Sequence, residues 1–157
     1  MNPGITITTC AWASIGSEIA AADKDGLETG GILLGHDDGT NIRITVAGDP
    51  GPSAVRTADR FLRDRKHAQR IATEAWESSR AQWVGEWHTH PNNAPVPSAI
   101  DLTSYMSHLA DDELGFTRFV SIIIGATATG QTASATWVVT PDSTTLVPLR
   151  LLKAGPT

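Results

Sequence analysis

Residues 85–101 read Gly-Glu-Trp-His-Thr-His-Pro-Asn-Asn-Ala-Pro-Val-Pro-Ser-Ala-Ile-Asp, and no other stretch limits the possible folds so tightly. His88 and His90 are two apart, and in an extended strand residues i and i+2 point to one face, so both imidazoles can converge on a point. Past Pro91, a turn-rich run containing Pro95 and Pro97 leads to Ser98, which reads as the N-cap of a helix continuing through Leu109. Asp101 falls in the first turn of that helix. A strand end with two neutral nitrogens, facing a helix start with one carboxylate, makes a three-ligand site with a fourth position open, the arrangement that binds catalytic zinc. Ser98-x-x-Asp101 also fits a plain capping box, and a His-x-His pair on an exposed strand needs no ligand role. The conjunction of all four residues in one strand-turn-helix unit favours the metal.

A second stretch, Leu-Glu-Thr-Gly-Gly-Ile-Leu-Leu-Gly over residues 27–35, places a carboxylate just before a short apolar strand. Glu28 together with His88-x-His90-x7-Ser98-x-x-Asp101 resembles the signature of the JAMM (MPN-plus) metalloproteases, the zinc-dependent deubiquitinase-like isopeptidases and their prokaryotic relatives. All five separated positions are filled, and the likeness runs from Glu28 at least to the strand near Ile124. The resemblance implies an α/β fold of the MPN type, a cytidine-deaminase-like sandwich with a mixed sheet flanked by helices. It also implies that His88, His90 and Asp101 hold one zinc ion, that Glu28 is the general base, and that Ser98 hydrogen-bonds the reacting carbonyl oxygen.

At 157 residues the chain suits one domain with a substantial core, expected over 1–153, with a frayed tail over 154–157. Hydrophobic residues make up 40% and charged residues 18%, which is ordinary for a globular protein and argues against widespread disorder. The lone Cys10 excludes an internal disulfide, and the N-terminus lacks the basic-then-apolar layout of a signal peptide. No apolar run approaches the ~20 residues of a membrane helix. A soluble, cytoplasmic protein with no membrane partner is expected. The net charge of -5 and the lack of a basic-aromatic pattern disfavour nucleic acid.

Along the chain, residues 5–9 read as a first strand and 14–24 as a helix with Ile15, Ile19 and Ala22 at helical spacing. Residues 30–34 and 41–47 form a hairpin-like pair around Asp37-Asp38-Gly39. Gly30-Gly31-x-x-x-Gly35 is not a phosphate loop, because no Lys-Ser/Thr follows and the glycines enter a strand; close backbone packing beside Glu28 explains them better. Residues 49–58 read as a loop, and 65–80 as an amphipathic helix with Ala68, Ile71, Ala72, Ala75 and Trp76 on its apolar face. Six of the 12 Lys and Arg residues fall between Arg56 and Arg70, a solvated face or a dock for an acidic partner. Further strands are expected over 83–89, 116–125, 133–140 and 144–151.

Two histidines and one aspartate leave zinc about one net positive charge, enough to bring a bound water's pKa towards ~7. A neighbouring carboxylate would relay the proton to the leaving amine. Strand parity also puts Glu86 on the side of His88 and His90, so parity alone does not exclude it as the base; the family pattern favours Glu28. A zinc deaminase needs a Pro-Cys-x-x-Cys pair that is missing here, and a His-x-His barrel needs about 250 residues. A non-catalytic MPN scaffold, the remaining alternative, would normally have lost ligands.

Resemblance implies hydrolysis after the C-terminal tail of a ubiquitin-like protein, by deconjugation or precursor trimming. The partners implied are that protein or its conjugate and E1/E2-like enzymes of the same system. The tail is expected to add as a strand between the turn at 92–97 and the strand at 31–33.

Overall fold

The computed structural model describes residues 3–22 and 25–153. Strand β1 (Ile5–Thr8) buries Ile5 and Ile7 on one side, and helix α1 (Thr9–Ala22) follows without a loop. The Ala11 N–H donates to Thr8 Oγ1 at 3.1 Å, which starts the helix at Thr9 and not at residue 14. Residues 23 and 24, at the end of the expected helix, and the tail 154–157 lie outside the described residues.

Strands β2 (Gly30–Asp37) and β3 (Ile42–Ala47) form the expected antiparallel hairpin. Its turn is closed by Asp38 Oδ1, which accepts from the N–H groups of Thr40 and Asn41. The following segment is not all loop: β4 (Val55–Arg56) and β5 (Phe61–Leu62) make a small separate hairpin. Helix α2 (Arg65–Ser79) starts at Asp64, whose side chain accepts from the His67 N–H, and stops at Arg80 in the left-handed conformation. Ala75 is buried and Ile71 packs beside it, whereas Trp76 is 44% exposed under the Arg80 guanidinium and does not belong to the core face.

Then come β6 (Gln82–Thr89), α3 (Ala99–Ala110), β7 (Phe119–Ala126) and β8 (Thr132–Thr140). The last expected strand is two: β9 (Ser143–Val147) and β10 (Leu149–Leu152), separated by Pro148. Proline lacks the N–H that a continuous ladder needs. The sheet order is β10-β1-β3-β2-β6-β7-β8-β9, so one residue joins the two edge strands. Val147 and Leu149 can be at most ~7.6 Å apart, and the sheet must curl until its edges meet there. β1 runs parallel to β3 and β10, and β6 to β7, while the other pairs are antiparallel, giving the mixed sheet expected.

One face of the sheet packs Ile7, Leu33, Trp87 and Ile122 with Ala11 and Ile15 of α1. The other packs Ile32 and Leu34 against α2, and Phe119 and Val139 against Tyr105 of α3. Each such fully buried side chain contributes ~1.5–3 kcal/mol. The register of β6 against β2 shifts between Leu33 and Leu34, where Gly85 and Trp83 are the successive partners, leaving Val84 as the extra residue. This bulge changes the parity of the strand. Trp83 packs with the α2/α3 side and Trp87 with the α1 side, although an uninterrupted strand would turn both the same way.

Candidate metal centre

The end of β6 and the first turn of α3 bring three donor atoms together. His88 Nε2 and His90 Nε2 lie 3.0 Å apart, and Asp101 Oδ2 stands 3.2 Å from the first and 3.1 Å from the second. His88 and His90 are buried. Donors held ~2.0–2.1 Å from a tetrahedral zinc ion are roughly 3.3 Å from one another, so this triangle has the size of one face of such a site. The donor chemistry agrees. His90 Nδ1 lies 3.0 Å from the Ala94 carbonyl, to which it can donate only as N–H, leaving Nε2 as a lone pair in the neutral ring. Two ring nitrogens and a carboxylate oxygen converging on one point form a donor set that could hold a metal cation. Burial opposes charging His90, yet the Asp101 carboxylate, the Ala94 carbonyl and Glu28 together outweigh it and raise the imidazole pKa. Burial likewise opposes charging Asp101, but His88, His90 and the Ser98 N–H hold its carboxyl far below the usual range. Both directions express one demand for positive charge.

The capping box and the ligand position turn out to be compatible. Asp101 Oδ2, the oxygen facing both rings, also accepts the Ser98 N–H at 2.8 Å, and Ser98 Oγ accepts the Asp101 N–H at 3.0 Å. The box therefore orients the carboxylate. Ser98 is exposed, and with its oxygen accepting, its own O–H remains able to donate.

Glu28 reaches the site from another part of the chain. Gly30 is the register partner of His88. The Thr29 N–H donates to Thr89 Oγ1 at 3.0 Å, and the Thr89 N–H to the Thr29 carbonyl at 2.9 Å. Glu28 is buried; burial raises its carboxyl pKa, against the pull of His88 and His90. A carboxylate raised in this way suits proton transfer near neutral pH.

Glu86 lines the same cleft as Glu28 but faces the other side of the His88 ring. Its Oε1 is 3.8 Å from His88 Nδ1, the ring nitrogen turned away from the triangle, and its Oε2 is 3.5 Å from Arg63 Nη1. Burial raises the Glu86 carboxyl pKa. Glu86 faces the back of the His88 ring at a separation longer than a hydrogen bond.

A cleft of about 810 Å³ opens from Glu28, His88 and Asp101 and runs between the β4–β5 hairpin and α3, lined by Val55, Leu62 and Ile100 among others. Neither the strand at 31–33 nor the turn at 92–97 is its wall, since no residue of either lines it; residues 31–33 pair with β6, and β3 joins them from Leu33. In the basic stretch, Arg56 is paired with Asp25 and Arg63 with Glu86, while Arg60 and Arg65 line the cleft. The hairpin was not legible from pattern, because two-residue strands carry no periodicity. Thr89 was legible in principle: the residue between two same-face histidines must face the other way.

Residues 14–139 match the family described as prokaryotic homologs of the JAB domain. The chain belongs to this family. The MPN-type α/β fold and the JAMM-like relationship follow from that membership. The chain is 35% identical over 88 residues to a Vibrio cholerae protein named CD-NTase/cGAS isopeptidase, covering 55% of this chain and 56% of that one. It is 34% identical over 100 residues to an Escherichia coli protein of the same name, covering 62% of each. The matches thus span less than two thirds of these curated relatives. A protein of Desulfitobacterium hafniense, solved in solution, superimposes with a TM-score of 0.69 at 18% identity, over 96% of this chain and 94% of that one, which supports the fold. Among the described residues, no helix is long and apolar enough to cross a membrane.

Proposed function

We propose that this JAB-family chain is a zinc-dependent isopeptidase or peptidase that cuts after the C-terminal tail of a ubiquitin-like protein. The observation that carries the reading is the donor triangle of His88, His90 and Asp101, open on one side to a cleft that also receives the buried Glu28 carboxylate. A zinc ion held there supplies Lewis acidity and makes water a nucleophile near neutral pH.

Glu28 takes the proton of the attacking water as its oxygen bonds to the carbonyl carbon, and passes that proton to the amine as the C–N bond breaks. The products are a tail carboxylate and a free amine. Proton relay of this kind is typically worth ~10²–10⁴-fold in rate. Ser98 Oγ–H donates to the carbonyl oxygen as it gains charge, a contact worth ~3 kcal/mol in comparable sites. Glu86 lies 3.8 Å from His88 Nδ1, where closing to hydrogen-bond length would let it accept the Nδ1–H and favour the tautomer that presents Nε2.

The tail lies in the cleft between the β4–β5 hairpin and α3, with Val55, Leu62 and Ile100 at its mouth for the body of the substrate. These three are 53%, 46% and 63% exposed, so their apolar side chains are free to meet a substrate there. The names of the relatives point to a conjugate with a CD-NTase as the target, and E1/E2-like enzymes would have made that conjugate. The test is to present zinc-loaded protein with a ubiquitin-like protein joined by an isopeptide bond to a CD-NTase lysine, and to weigh the products. Release of both intact proteins, abolished by chelation, is expected. A conjugate left whole by zinc-loaded protein, while unrelated cleavage controls succeed, would remove the reading in favour of a non-catalytic scaffold.

A further inference from the structure

Glu28 precedes β2 and lies in a segment with no regular structure, so something other than a strand ladder must hold it. Both of its main-chain polar groups are taken by the β4–β5 hairpin. The Glu28 N–H donates to the Thr57 carbonyl at 2.7 Å, and Arg56 Nε donates to the Glu28 carbonyl at 2.9 Å. The rest of the Arg56 fork is engaged by Asp25: Nη1 to Oδ2 at 3.0 Å and Nη2 to Oδ1 at 3.2 Å. Asp25 Oδ1 in turn accepts the Leu27 N–H at 2.9 Å. One planar guanidinium thus ties the turn before Glu28, the carbonyl of Glu28 and the hairpin that lines the cleft.

We propose that Arg56 is a positioning residue for Glu28, clasping its main chain so that the carboxylate is set over the donor triangle before substrate arrives. This rests on the reading of Glu28 as the base. The opposite side of the same peptide is held by Thr89 through Thr29, so the backbone on either side of Glu28 is pinned from two directions. A side chain borne on a pinned backbone samples few positions, and a misplacement of about 1 Å at a reacting group costs on the order of 10²-fold in rate. Lysine cannot replace the fork, since one ammonium cannot meet both oxygens of Asp25 and a carbonyl with three fixed nitrogens.

The test has two arms. In zinc-loaded protein, amide hydrogen exchange of Glu28 and Thr29 is compared between the unaltered chain and Arg56→Ala, with Ile122 as the core reference. Exchange at Glu28 and Thr29 should rise by about 10-fold or more, with Ile122 unchanged, because only local opening is released. In the kinetic arm, Arg56→Ala should lower kcat by roughly 10- to 10²-fold with zinc content and KM nearly unchanged, and Arg56→Lys should fall between. In a Glu28→Gln background the further loss from Arg56→Ala should shrink to about 2-fold or less, since the group being positioned no longer relays a proton. Equal losses in both backgrounds, or unaltered exchange at Glu28 and Thr29, overturn the proposal. If the unaltered protein cleaves nothing, the functional reading fails, and the exchange arm still decides whether Arg56 holds Glu28.

Discussion

Gly30 and His88 are register partners across β2 and β6, and a Cβ on Gly30 would collide with the Trp87 carbonyl oxygen and sit 2.9 Å from His88 Cβ. The strand that Glu28 leads into can therefore approach the strand of His88 only because Gly30 has no side chain. Gly30→Ala should destabilise the fold by ~1–3 kcal/mol through overpacking and weaken metal retention by displacing His88. Urea unfolding and zinc titration measure the two effects, and a fully stable, zinc-tight variant would contradict them.

The purified chain should hold one zinc per molecule by elemental analysis and lose it in His88→Ala, His90→Ala or Asp101→Ala. Asp101→Asn is the sharper variant, since an amide oxygen can still accept the Ser98 N–H and keep the helix start while binding metal poorly. His36, His67 and His108 lie outside the triangle; His67 pairs with Asp49 at 2.6 Å and His108 stacks on Phe119. Their Ala variants should retain zinc.

Glu28→Gln keeps size but cannot accept the water's proton near neutral pH, so turnover should fall by ~10²-fold or more while zinc stays. Glu86→Gln should instead lower zinc affinity by roughly 10-fold and leave more activity once metal is saturating. The reverse pattern, with Glu86→Gln dead and zinc-loaded while Glu28→Gln is active, exchanges the two roles.

Leu62→Asp and Ile100→Asp place charge at the cleft mouth without touching the donors. Each should raise KM about 10-fold with kcat little changed, the signature of lost uniform binding. Glycine next to the cut should be preferred to bulky residues, and equal cleavage of both would argue that the tail does not lie in this cleft.

Burial, aided by Arg63 and Arg65, holds the His108 pKa below its ordinary value of 6.5. As pH falls through 6.5 the unfolded chain takes up a proton that the folded chain refuses, so this contribution to stability is full above that pH and declines below it. His108→Phe should flatten the decline. Denaturant midpoints followed downward from about pH 7 test the sign, and an unchanged slope would assign the acid sensitivity to other groups.

What the sequence alone determined is the part of the site that lies within one strand-turn-helix unit. The two-residue spacing of His88 and His90 and the three-residue spacing of Ser98 and Asp101 are local geometry, and local geometry follows from backbone periodicity. The hairpin of β2 and β3, the extent of α2 and the mixed α/β class were legible for the same reason. Only the tertiary structure decided the rest. The extra residue at Val84 turns Trp83 and Trp87 to opposite faces, because the ladder with β2, and not the alternation of β6 itself, sets the parity. Pro148 separates two strands at opposite edges of one sheet, which depends on partners more than a hundred residues away in β1. Glu28 stands 60 residues before His88, held by Thr57, Arg56 and Thr89; strand parity turns Thr89 away from the histidines, but no pattern along the chain marks Thr57 or Arg56, since their roles arise from hydrogen bonds to the main chain that exist only once the sheet has formed.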